Sequence, residues 1–252
     1  MSAWQELDDG VLVRRYAELD QNIGLVLGDG GLLVVDSRSH PHHARVLAEH
    51  VREVSRLPVR WLVNTHWHWD HCFGNSVFTD AVVVGHRACR AALLTEGAER
   101  LARLRRSDAL PADERHHLDE VEIVPPTVTF ERSTSLWLGD REVHVSWYGR
   151  GHTDADVVVR TGDVSFAGDL VEQGAPPSFT DAFPRAWVET VRRMAGDLAP
   201  VVVPGHGAVV DPDFALAQAA DIVDALDGGR PFPDDTMATL LTRARAEGRL
   251  AP

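Results

Sequence analysis

His66-Trp67-His68-Trp69-Asp70-His71 is the stretch on which the fold turns. It comes directly after Val59–Val63, a β-branched run that reads as a buried strand. A loop leaving the end of a strand can turn three imidazoles and a carboxylate toward one point. Imidazole nitrogen suits zinc and iron, and the carboxylate adds the negative charge needed to hold a divalent cation. Two tryptophans alternating with these residues are out of place in a solvated loop. Trp67 and Trp69 are expected either to wall a substrate pocket or to pack beneath the loop.

Three further candidates lie downstream, each after an apolar run. His152 sits in Gly149-Arg150-Gly151-His152-Thr153-Asp154, Asp169 in Phe166-Ala167-Gly168-Asp169-Leu170, and His206 in Val203-Pro204-Gly205-His206-Gly207. Glycines in each segment permit a sharp turn at a strand end, and loops carried on rigid strands are where sites are built. A lone histidine after a strand is usually structural. Three such positions added to the first cluster describe one metal centre.

The flanks supply a scaffold. Val11–Tyr16, Gln21–Leu27 and Gly31–Val35 read as strands, with Gly28-Asp29-Gly30-Gly31 as a hairpin turn. Pro41–Arg56 reads as a helix, Ala81–Gly85 as a strand, Arg87–Arg106 as mostly helix, and 107–126 as a surface connection. The theme then repeats, with strands at Val143–Trp147, Val157–Arg160, Val164–Ala167 and Val201–Val203. Helices are expected at Asp181–Leu198, Asp213–Leu226 and Asp234–Arg249. The pattern implies one α+β domain over 1–252, with similar halves at about 1–126 and 127–210 and a helical extension over 211–252. Two sheets packed face to face with helices outside would satisfy it.

These motifs resemble the metallo-β-lactamase superfamily over residues 11–210. The family pattern is His-x-His-x-Asp-His, then a His, a bridging Asp and a final His. Here these are His66, His68, Asp70, His71, His152, Asp169 and His206. Asp36, at the end of an early strand, matches the family residue that braces the metal loop. The resemblance implies a four-layer αβ/βα sandwich with two divalent ions, most simply Zn²⁺, though Mn or Fe would fit the donors. His66, His68 and His152 would hold one ion, Asp70, His71 and His206 the other, with Asp169 between. It also implies a bridging hydroxide that cleaves an ester, lactone, thioester or amide of a small molecule, with Asp70 orienting the nucleophile or passing a proton.

The flanking segments are similar to the β-lactam-hydrolysing subclass that uses a cysteine ligand, but Asp169 stands at that cysteine's position. Glu172 stands where those enzymes place a substrate-binding lysine, and a glutamate there is expected to repel a β-lactam carboxylate. Among the rest of the chain, Arg150 is a candidate for an acidic substrate group. The expectation is therefore a hydrolase of esters, lactones or thioesters, with β-lactamase as one alternative and a mononuclear iron persulfide dioxygenase as another.

Composition narrows the partners. The chain has 252 residues, 44% of them hydrophobic and 25% charged, which suits a globular protein with a sizeable core. Net charge is −13 and every cation is Arg, so nucleic acid is not expected as a partner. No apolar run has the length of a membrane span. The segment from Met1 to Gly10 lacks a basic start and an apolar run, so a complete cytoplasmic chain without a secretory signal is expected. Cys72 and Cys89 are too few for a disulfide framework. Arg87, Arg90, Arg100, Arg103, Arg105 and Arg106 are expected on the wet face of a helix. His40, His42 and His43 are expected to cap a helix rather than bind metal, and His86, His116, His117 and His144 have no ligand spacing.

Overall fold

The computed structural model describes residues 3–108 and 110–249; Met1, Ser2 and residues 250–252 of the expected extension lie outside the described residues. The first sheet begins with β1 (Gln5–Asp8), β2 (Val11–Tyr16), β3 (Gln21–Gly28) and β4 (Gly31–Val35), an antiparallel series. The β3–β4 hairpin closes at Gly28↔Gly31, where the glycine-rich turn was expected. Helix α1 (Pro41–Val54) leads to β5 (Val59–Val63), which runs parallel to β4. The helical turn α2 (Trp69–Cys72) follows, then β6 (Val82–His86), α3 (Arg87–Thr95), α4 (Gly97–Arg105) and α5 (Ala112–His117). The segment Arg87–Arg106, expected to be mostly helix, is two helices. The break falls at Glu96, and at Gly97, the first residue of α4, a Cβ would come within 2.9 Å of Ile123.

The second half begins with β7 (Val128–Phe130), β8 (Ser133–Trp137), β9 (Glu142–Ser146), β10 (Val158–Thr161) and β11 (Val164–Glu172). It continues through α6 (Pro184–Met194), β12 (Val201–His206), α7 (Pro212–Leu226) and α8 (Asp234–Arg249). Strand β7 pairs parallel to β6, so the first half's sheet runs past residue 126 to Phe130. Helix α6 is shorter than Asp181–Leu198, because Pro184 enters at its first turn and residues 181–183 are free to leave the axis.

Hydrogen bonding joins the strands in the order β7-β6-β5-β4-β3-β12-β11-β10-β9-β8, with β2 and β1 beyond β3. The two half-sheets meet through one pair, His206↔Gln21. Val13, Val26, Leu33, Val35 and Val63 of one half pack against Leu136, Val143, Val145, Val159 and Phe166 of the other. Outside the first half, Ala44, Leu47 and Val51 of α1 cover Leu25, Leu32 and Leu62. Outside the second, Trp187, Val191 and Ile222 of α6 and α7 cover Leu170 and Val202. The result is the expected α+β sandwich, αβ/βα in layers. Burying these faces supplies the main driving force for folding, and the loops at one sheet edge are left to carry chemistry.

Candidate metal centre

The six-residue loop after β5 bends through His66 and is extended at His68, then tightens into α2, which carries Asp70 and His71. Its backbone is pinned from behind. Ser37 N–H donates to His71 O at 2.8 Å, and Cys72 Sγ lies 3.0 Å from His68 O. Asp36 accepts from Thr65 N, Thr65 Oγ1 and His71 Nδ1, each at 2.8 Å. Asp36 holds φ +67, a left-handed conformation costly for a residue with a Cβ.

Asp169 reaches the same point from inside a strand. Val164–Ala167 was expected to end before it, but β11 continues to Glu172 through a register irregularity beside Gly168. Gly168 has φ +53, and a Cβ there would press on Thr65 at 2.8 Å. On the neighbouring strand, a Cβ at Gly205 would sit 1.8 Å from Asp169 Oδ1. The bare face of β12 is therefore the cradle into which the carboxylate fits.

The seven predicted ligands converge as two groups. His66 Nε2 and His152 Nε2 lie 3.7 and 3.3 Å from Asp169 Oδ2, and His68 Nδ1 lies 2.7 Å from His152 Nε2. His71 Nε2 and His206 Nε2 lie 3.3 and 3.5 Å from Asp169 Oδ1, and 3.4 and 3.3 Å from Asp70 Oδ2. Donors about 2.0–2.2 Å from a tetrahedral zinc are separated by about 3.3 Å, so both groups have the spacing of a coordination shell. Asp169 turns one oxygen to each.

Every imidazole has its other nitrogen against an oxygen: His66 at Thr65 Oγ1 (3.1 Å), His68 at Asp181 Oδ2 (2.9 Å), His71 at Asp36, His152 at Glu172 Oε1 (3.2 Å) and His206 at Leu19 O (2.7 Å). Four of these contacts are hydrogen bonds, while Glu172 approaches His152 Nδ1 as an ion pair without hydrogen-bond alignment. Such partners orient the rings and leave the inward nitrogen bare for a metal. His66 Nε2 and Asp169 Oδ1 are buried with no hydrogen-bond partner. Leaving them so costs about 1–3 kcal/mol each, which a cation would offset. The donor set therefore fits two divalent ions.

Charge in the metal-free chain points the same way. Burial works against ionisation, yet the surrounding histidines hold the carboxyls of Asp169 and Asp70 well below their usual range. Burial likewise opposes charge on the imidazoles, but Asp169 and its neighbours raise His71, push His152 up to about 9 and His206 up to about 11. Burial dominates at His66, which falls, and at His68, which falls to about 4. Protons thus fill the positive role that metal ions would take.

A cavity of about 600 Å³ opens onto His68, Asp70, His152, Asp169 and His206. Its wall is Trp69; Trp67 is buried beneath the loop. Arg150 borders a separate cavity with Trp147, its guanidinium 5.1 Å from the Phe183 ring. The cation in the metal cavity is instead Arg100, expected on a wet helix face. It reaches Asp181 Oδ2 at 2.5 Å and stacks on Trp67 at 4.5 Å. Glu172 borders the cavity, but it also accepts from Ser178 N (3.0 Å) and backs His152.

A family model described as the metallo-beta-lactamase superfamily matches residues 16–206. The metallo-beta-lactamase type 2 of Bacillus cereus is 25% identical over 202 residues, 77% of this chain and 70% of the relative. A solved metallo-beta-lactamase from Pontibacter korlensis superposes with a TM-score of 0.71 at 20% identity, over 88% of this chain and 100% of its own. The metallo-beta-lactamase FIM-1 from Pseudomonas aeruginosa, in its mono-zinc form, gives 0.67 at 18% identity, over 87% and 95%. The two structural likenesses establish the shared fold.

Proposed function

Because the chain belongs to the metallo-beta-lactamase superfamily and is a metal-dependent hydrolase of that kind, we propose that it works with two zinc ions and that its substrate class is the β-lactams. The observation that carries the two-ion reading is Asp169, whose Oδ2 faces His66 and His152 while Oδ1 faces His71 and His206. Such a pair of ions supplies Lewis-acid polarisation and a water of lowered pKa. The chain's own residues do the rest. Asp70 borders the cavity with its carboxylate, placed to take the proton of the attacking water and return it to the leaving nitrogen. Arg100 offers a guanidinium to a substrate carboxylate, and Trp69 excludes water from one side.

Two arguments against a β-lactam lose weight on the geometry. Glu172 is engaged with His152 and Ser178 rather than turned freely to substrate. Arg100 brings a cation to the cavity, its charge shared with Asp181 at 2.5 Å. The β-lactamase relatives favour the same class. A second reading, hydrolysis of esters, lactones or thioesters, is favoured by the all-nitrogen-and-oxygen donor set that Asp169 creates. The complete second group of Asp70, His71 and His206 gives no support to a mononuclear iron dioxygenase.

The test is steady-state kinetics of zinc-replete protein on nitrocefin, a carbapenem, an aryl ester, a homoserine lactone and a glutathione thioester. The expected result is the highest kcat/KM on a β-lactam. A β-lactam rate at background beside a rapidly cleaved ester or thioester would overturn that substrate class. Among the described residues no helix is long and apolar enough to cross a membrane.

A further inference from the structure

We propose that His40, His43 and Glu114 form a third divalent-metal site, apart from the catalytic pair, that ties α5 to the start of α1. One donor atom from each residue lies within 4.8 Å of the others. The Glu114 carboxylate faces both rings: Oε2 is 2.9 Å from His40 Nε2, and Oε1 is 3.6 Å from His43 Nε2. The rings stack at 4.0 Å, which brings their Nε2 atoms to the same side.

The surroundings prepare these atoms for an ion. The His40 side chain is 1% exposed and that of His43 11%, while Glu114 at 30% leaves an entry from solvent. Burial holds His40 below its usual pKa, and burial together with Arg38 lowers His43 to about 3, so both are neutral, the form that binds metal. His43 Nδ1 lies 2.8 Å from Ser39 Oγ, which anchors that nitrogen and leaves Nε2 toward Glu114. Two imidazoles and a carboxylate with a fourth position open to water is a zinc-type donor set.

His40 sets the strength of the site. Its Nδ1 now accepts from His43 N at 3.3 Å, capping α1, so its proton sits on Nε2 and points at Glu114. An ion at Nε2 moves that proton to Nδ1 and costs the helix this long cap bond. No proton is released from the ring. The mechanical result follows the chain. Arg105 of α4 donates to Leu118 O at 2.9 Å, just after α5, and α4 carries Arg100 to the metal cavity. An ion at Glu114 therefore braces the segment that holds Arg100.

The experiment is equilibrium dialysis of tag-free, metal-stripped protein against Zn²⁺ alone, comparing the native chain with Glu114→Gln and His43→Gln. Glutamine at 114 still accepts from His40 Nε2–H, so that variant keeps the apo contact. The native chain is expected to bind one more Zn²⁺ than either variant, whatever number the catalytic centre holds. Trypsin cleavage at Arg115 should slow in the native chain as that extra ion binds. Equal zinc content in the three proteins, or no slowing at Arg115 under saturating Zn²⁺, would overturn the proposal and leave the catalytic reading untouched.

Discussion

Glu172 shows how a residue's meaning changes with its neighbours. In the sequence it replaces a lysine and promises repulsion of a carboxylate. In the fold its Oε1 sits 3.2 Å from His152 Nδ1. A partner of that kind typically supports metal affinity by about 10–100-fold. Glu172→Gln removes the charge and keeps the shape. The expected outcome is zinc affinity at the His66–His68–His152 group weaker by about 10-fold or more, read by chelator competition. Unchanged affinity with a lower KM for a β-lactam would mean that Glu172 faces substrate instead.

At the scale of elements, the ligands were legible and much of their support was not. His66, His68, Asp70 and His71 announce themselves because four donors crowd one loop. Asp169 was found by its glycine neighbour, but that same Gly168 read as a strand end, since periodicity gives no sign that a strand resumes after a bulge. Strand β7 has only three residues and β8 opens with Ser-Thr-Ser, so neither run is long or apolar enough to announce a strand. Arg100 looked like a solvated face because its partner Asp181 lies far along the chain. Glu114 and His40 were hidden from each other for the same reason. Strand β12 makes a sharper claim, because a Cβ at Gly205 would fall 1.8 Å from Asp169 Oδ1. Gly205→Ala should keep the fold, as judged by circular dichroism, while losing metal and nearly all activity. A variant with native zinc content and rate would show that Asp169 does not need this cradle.

For the molecule as a whole, metal and protons compete for one buried charge pattern. His71 is raised, and His152 and His206 stand at about 9 and about 11 in the metal-free chain, so all three carry protons at neutral pH. Loading the catalytic centre at pH 7 should release about three protons per chain, measured by calorimetry in buffers of different ionisation enthalpy. Raised values in the folded state stabilise the metal-free fold fully below the unfolded histidine pKa of about 6.5. That contribution is lost as pH climbs through about 9 and then about 11. Metal-free protein should therefore lose stability in alkali, whereas zinc affinity should rise with pH up to the same range.

The most direct test of the dinuclear centre is diffraction from zinc-loaded crystals at the zinc absorption edge. The account predicts two anomalous peaks about 3.5–4 Å apart, one beside each oxygen of Asp169, with His66, His68 and His152 around the first and Asp70, His71 and His206 around the second. A single peak at this centre in fully loaded crystals, or two peaks that Asp169 does not bridge, would contradict it.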